Sequence, residues 1–437
     1  MALHAPHETG APAATLPPRP YAWLVFACTF GLLLSDYMSR QVLNAVFPLL
    51  KAEWLLSDTQ LGSLSSVVAL MVGLLTLPLS VLADRWGRVR SITLMAALWS
   101  LATLGCALSA SYGHMLAARF CVGIGEAAYG SVGVALILSI FPAHLRAGLT
   151  GAFMAGGAFG SVLGVAIGGM VAAKLGWRWS FGAMAGFGLA LVLLYALLVK
   201  EKRLGARPVA RTANGERLPW GRLLRKLVST RAVLCAYVGS AFQLFVMGAV
   251  LAWMPSYLNR YYGLPTDRAG VAAAAFVLVG GSGMVLCGIA TDRFSRHNPQ
   301  RKWDSAIFYC MASAALLGAG FQMPPGVAQL ALIGAGMLFT AGTSGPAGAM
   351  VANLTPTAIH ASAFAVLTLV NNLLGMAPGP FLTGVFADRL GLAGALALLP
   401  LMALASGLVF YTGKRSYAPD LARLRADPEF TTNCSPT

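Results

Sequence analysis

Four ionisable residues lie inside strongly apolar stretches near the start of the chain: Asp36, Arg40, Arg119 and Glu126. A charge at a bilayer centre costs about 2.5–3.5 kcal/mol on insertion scales. Groups kept at that cost pair with one another, face water, or mark the path of an ion or substrate. Asp36 and Arg40 stand four residues apart, one turn along one helix face. They can form a local ion pair, or a proton-binding acid whose charge a neighbouring cation tunes. Arg119 and Glu126 stand seven apart, on the same face but about 10.5 Å along the axis. That is too far for direct contact, so each needs a partner elsewhere: helix 1, water or substrate. Glu126 is the leading proton-site candidate. Its neighbours Gly123 and Gly125 allow another backbone close to it.

The elements that must position these groups are membrane helices. Of 437 residues, 57% are apolar and 11% charged, against about 25% charged in soluble domains. Spans of about 20 apolar residues are expected at 21–48, 60–82, 91–111, 114–139, 147–175, 180–200, 232–258, 268–291, 303–322, 326–352, 358–387 and 392–412. Of the 31 Lys and Arg, 23 fall on one side of these spans and six on the other. The positive-inside rule puts both termini in the cytoplasm. The same placement argues against nucleic acid as the reason for the net charge of +16. Residues 1–20 are expected as a disordered cytoplasmic tail, 21–200 as one six-helix bundle and 201–231 as a basic cytoplasmic linker. A second bundle is expected over 232–412 and a cytoplasmic tail over 413–437.

The two halves repeat. Ser80-x-x-x-Asp84-Arg85-Trp86-Gly87-Arg88 returns 208 residues later as Gly288-x-x-x-Asp292-Arg293-Phe294-Ser295-Arg296. Gly160, Gly164, Gly169 and Gly176 return 215 residues later as Gly375, Gly379, Gly384 and Gly391. The expected fold is therefore an all-α membrane protein, with twelve transmembrane helices in two pseudo-symmetric six-helix bundles. That arrangement belongs to secondary transporters with a central site between repeats.

The C-terminal half has no acid within a span. Its intramembrane polar residues are neutral: Gln243, Thr340, Ser344, Asn371 and Asn372. They can bond a substrate headgroup or only a neighbouring helix. Gln243 stands near the repeat equivalent of Asp36. All six histidines fall in tails or loops, so an intramembrane enzyme is disfavoured. The seven cysteines show no metal-like spacing. No phosphate-binding loop precedes Gly413-Lys414-Arg415-Ser416. No cofactor and no metal are expected.

The loop after span 2 resembles the signature of the major facilitator superfamily, G-x-x-x-D-[RK]-x-G-R-[RK]. Asp84, Arg85, Gly87 and Arg88 match, while Ser80 and Val89 depart from it. Arg119-x-x-x-Gly123-Ile124-Gly125-Glu126-Ala127, followed by Tyr129, resembles the spinster-like branch, related to sphingolipid and lysophospholipid transporters. Ser57-Asp58-Thr59-Gln60-Leu61-Gly62 and Gly176-Trp177-Arg178 support it. In span 1 the branch's N-Y-x-D-R appears as Asp36-Tyr37-Met38-Ser39-Arg40, so Ser39 replaces the family acid and Asp36 is new.

The resemblance implies a proton-coupled carrier of an amphipathic or anionic organic substrate, working by alternating access. An organic-anion/proton symporter for a small carboxylate and a drug/proton antiporter are the alternatives. Asp36 and Glu126 are then the proton-coupling acids. Arg40, Arg119, Tyr37, Tyr129, Gln243, Asn371 and Asn372 are the substrate-binding candidates. Asp84, Arg85, Arg88, Asp292 and Arg293 are the gating candidates. Expected partners are substrate, protons and membrane lipids, in a monomer of a bacterial inner membrane.

Overall fold

The computed structural model describes residues 17–204, 227–356 and 359–426. Among them, twelve helical spans follow in order. The first six are α1 (Arg19–Trp54), α2 (Asp58–Trp86), α3 (Arg88–Ala107), α4 (Tyr112–Glu126 and Tyr129–Ile140), α5 (Ala143–Leu175) and α6 (Trp177–Leu198). The second six are α7 (Arg231–Tyr262), α8 (Thr266–Ser295), α9 (Arg301–Gln322), α10 (Val327–Gly342 and Ser344–Asn353), α11 and α12. Span α11 is built from His360–Val370, a π-helical turn Asn371–Met376, and the part of Pro378–Leu396 before its kink at Gly391, where α12 begins. α12 includes Leu399–Ala426. Eleven of the described helices are long and apolar enough to cross a membrane. The chain is a multi-pass integral membrane protein.

Most boundaries shift by a few residues from the sequence reading, and those of α1 and α12 shift furthest. α1 runs from Arg19 to Trp54 rather than over 21–48, because Pro18 and Pro20 permit an earlier helix start. Residues 1–16 of the expected tail lie outside the described residues. The last helix continues to Ala426, past the expected end of its span, because α12 packs on α7 and α9 beyond the apolar stretch. Residues 427–437 lie outside the description, as do 205–226 of the expected linker. The linker's first residues form a short turn, Glu201–Arg203, and Glu201 accepts a hydrogen bond from the Arg88 backbone N–H at 3.0 Å.

Local chemistry sets the helix starts and stops. Ser57 and Gln60 form a reciprocal capping box at the start of α2, with bonds of 3.1 and 3.0 Å. Gly176 and Gly391 turn the chain between α5–α6 and α11–α12 at φ +90° and +73°, a region that favours glycine. They are repeat mates, so the turn into the last helix of each half is made in the same way.

The repeated glycines also fix helix packing. A Cβ on Gly160 would sit 2.5 Å from the Leu34 carbonyl oxygen, and one on Gly164 2.7 Å from that of Met38. In the other half, Gly375 meets the Ala241 carbonyl at 2.5 Å and Gly379 that of Phe245 at 2.6 Å. Thus α5 lies on α1 as α11 lies on α7. The same symmetry governs the contacts between halves. Gly169 and Gly270 bring α5 against α8, and Gly62 and Gly384 bring α2 against α11. Small residues let these backbones approach closely.

Candidate functional site: a buried charge cluster between α1 and α4

Arg40 reaches across from α1 to α4. Its Nε and Nη2 donate to Glu126 Oε2 at 2.9 and 2.6 Å. The Glu126 side chain is fully enclosed, while 19% of the Arg40 side chain is exposed. The Arg40 guanidinium also lies 5.3 Å from the Tyr37 ring centroid. Glu126 ends the first segment of α4, just before the break at Ala127–Ala128. That break presents its carboxylate to α1.

No ion pair joins Asp36 to Arg40, although the spacing allows one. Asp36 lies within electrostatic reach of both Glu126 and Arg40. Asp36 is buried at 3% exposure. Asp36 Oδ1 and Glu126 Oε1 each lack a hydrogen-bond partner. Each carboxylate therefore has a free buried oxygen on which a proton can be held. The hydroxyls of Ser35 and Ser39 on the same helix are also buried and unpartnered.

Arg119 is fully buried and faces backbone rather than acid. Its three nitrogens donate to the carbonyls of Leu64 (3.3 Å), Ser39 (3.2 Å) and Arg40 (3.3 Å). It therefore clasps α4 to α1 and α2, using the second lone pair of carbonyls already bonded within helices. Tyr129 is also fully buried. Its hydroxyl donates to the Thr29 carbonyl at 2.6 Å, and its ring packs on Trp99.

In the other half, Gln243 is fully buried with both amide atoms unpartnered. Asn371 and Asn372 open the π-helical turn of α11. Asn371 Oδ1 has no partner, and Asn372 donates to the Thr368 carbonyl at 2.9 Å. Such single π turns recur at functional sites.

Among the described side chains, Arg85, Arg88, Asp292 and Arg293 make no hydrogen bond or ion pair across the halves. The side chain of Asp84 lies outside the described residues. Arg85, Asp292 and Arg293 are exposed. Arg88 donates to the Ala135 carbonyl of its own half at 2.8 Å.

The opposite end carries an inter-half lock that the sequence reading missed. Arg260 of α7 binds Asp58 through two bonds of 2.8 and 2.6 Å, and Lys51 adds a third at 2.5 Å. Asp388 of α11 accepts from the Asp58 and Thr59 N–H groups at the start of α2 (2.7 and 2.9 Å), and from the Thr59 hydroxyl at 2.6 Å. An anion at a helix N-terminus is favoured. Nearby, Phe47 packs on Trp253, whose indole N–H donates to the Pro380 carbonyl. Among the described residues, the bonds from Arg260 to Asp58 and from Asp58 and Thr59 to Asp388 are the hydrogen bonds that join the halves. The start of α2 was readable as a capped helix terminus, but nothing local to it named Asp388 or Arg260 as its partners.

The profile described as Major Facilitator Superfamily matches residues 29–377. The chain is 24% identical over 385 residues to a hexuronate transporter of Bacillus subtilis, covering 84% of this chain and 90% of that protein. It is 28% identical over 395 residues to human protein spinster homolog 1, covering 84% and 73%. A crystal structure of a bacterial homologue of the human lysosomal transporter spinster, inward-facing and unoccupied, superposes with a TM-score of 0.82 at 20% identity. That match covers 92% of this chain and 99% of that one.

Proposed function

The chain belongs to the Major Facilitator Superfamily as a transporter, and from that premise we propose a proton-coupled carrier of an amphipathic or anionic organic substrate. The observation that carries this reading is the enclosed Arg40–Glu126 ion pair, with a second buried acid, Asp36, one helical turn from Arg40. The two acids are the proton site. When a proton is held on Glu126, the carboxylate loses its full claim on Arg40. The freed guanidinium then holds the carboxylate or phosphate of a substrate in its bidentate fork. Proton and anion thus bind together, which is symport.

Gln243, Asn371 and Asn372 offer neutral hydrogen bonds from the other half to the uncharged part of the substrate. Arg40 and Tyr37 reach it from the first half. With both termini in the cytoplasm of a bacterial inner membrane, the Asp58 lock closes the outer side. Opening that lock while Asp84, Arg85 and Arg88 engage the other half gives alternating access.

A second reading, a small carboxylate as substrate, is favoured by the similarity to the hexuronate transporter and to a probable L-galactonate transporter of Escherichia coli. The spinster resemblance favours a lysolipid or sphingolipid. The test uses the full chain in proteoliposomes under an imposed pH gradient, with radiolabelled lysophosphatidylglycerol and, separately, galacturonate. Gradient-driven accumulation of one of them is expected, and Glu126→Gln abolishes it. An undiminished gradient response in both Glu126→Gln and Asp36→Asn overturns the proposal.

A further inference from the structure

Away from the central site, a groove of about 590 Å³ runs along the outer wall of the second half. Leu286, Ala290 and Phe294 of α8 form one side, Asp304 and Phe308 of α9 the other, and Phe339 of α10 the floor. Phe294 and Phe308 are 51% and 59% exposed, so large apolar faces turn outward from membrane-spanning helices. Such a predominantly apolar wall favours contact with hydrocarbon over contact with water.

The end of the groove is cationic. Arg301 lies 5.0 Å above the ring of Phe294 and donates to its carbonyl. Arg301 is exposed, and among the described residues no carboxylate lies within ion-pair distance of it. The lining acid Asp304 is occupied by Lys414 at 2.5 Å. The α8–α9 turn and its flanks add Arg293, Arg296 and Lys302, against Asp292. An apolar trough that ends at an unpaired guanidinium matches one amphiphile: a hydrocarbon tail with an anionic head. We propose that this groove holds an acyl chain of an anionic phospholipid whose phosphate binds Arg301. This is a resident lipid on the outer wall, independent of whatever the central site carries. The phosphate takes the guanidinium fork in bidentate form, while Arg293, Arg296 and Lys302 raise the local concentration of anionic lipid.

The test is native mass spectrometry of the delipidated full chain with added phosphatidylglycerol or phosphatidylcholine. One phosphatidylglycerol per chain is expected, retained at least about fivefold over phosphatidylcholine. Arg301→Ala, a surface change, removes that preference. Ala290→Phe fills the trough from an exposed position and lowers retention of both lipids. Equal retention of the two lipids by the unaltered chain overturns the proposal. So does retention that survives both variants but falls with Arg40→Ala, which places the lipid in the central site.

Discussion

Asp36 and Gln243 occupy the same place in the two halves. Gly160 and Gly164 seat on the carbonyls of Leu34 and Met38, and Gly375 and Gly379 seat on those of Ala241 and Phe245. That register pairs Asp36 of α1 with Gln243 of α7. One position thus carries a buried acid in the first half, and an unpartnered neutral amide in the second. The backbone is duplicated, and the chemistry is not.

The unpartnered amide makes a clear prediction. A buried polar group without a bond costs about 1–3 kcal/mol. Gln243→Leu is expected to leave the thermal stability of the substrate-free protein unchanged or to raise it by about 1 kcal/mol. It should also abolish the added stabilisation that substrate gives. A drop in stability without substrate would show that the amide has a structural partner.

Removing one member of the α1–α4 ion pair strands a buried charge. Arg40→Ala is expected to destabilise the protein by about 3–5 kcal/mol. Arg40→Met with Glu126→Gln should recover most of that loss, because removing both members of a buried pair is close to neutral. Thermal unfolding of the single and double variants in detergent decides it. Equal loss in both would mean that Arg40 stabilises through Tyr37 packing instead.

Arg119 donates to three backbone carbonyls, so its loss cannot be repaired by neutralising an acid. Arg119→Ala is expected to lose at least about 2 kcal/mol, since hydrogen bonds from charged groups contribute about 1.5–3 kcal/mol each. Arg119→Lys should recover little, because a point charge cannot span Leu64, Ser39 and Arg40 as a planar fork does. Adding Glu126→Gln to Arg119→Ala should give no rescue. Intact stability with lost substrate binding would assign Arg119 to a headgroup instead.

The Asp58 lock is expected to set the balance between the two access states. Asp388→Asn and Arg260→Ala should each raise labelling of single cysteines introduced on the Asp58 side of the central cavity. The double variant should behave much like either single one, because both partners converge on Asp58. Unchanged labelling would mean that the glycine crossings alone hold this end closed.

The sequence carried the architecture well. Apolar spans, basic loops and repeated glycines are local patterns, and the helices follow from them. It also carried Asp36, Arg40, Arg119 and Glu126 as exceptional, because a charge inside an apolar span is visible without a structure. It could not pair them. Glu126 takes Arg40 rather than Arg119 because the Arg40 side chain reaches across from α1, while Arg119 is held by backbone carbonyls of α1 and α2. That pairing joins residues 86 apart in the chain. Asp388 was hidden for a similar reason: an acid near a span end reads as a solvated terminus until a distant helix start is placed against it. The early stop expected for α12 came from reading polarity as an end, where helix packing carries the segment on to Ala426.

The glycine crossings bear on how the molecule can move. Gly62 with Gly384, and Gly169 with Gly270, bring the two halves together at two symmetry-related points near the locked end. Side chains there are nearly absent, so little interdigitation resists a small rotation. Two such low-friction points define an axle. Motion about it is short at the Asp58 lock and long at the far end of α2 and α8, as at the two ends of an unequal lever. A small separation around Asp58 is then matched by a larger closing movement at the opposite end.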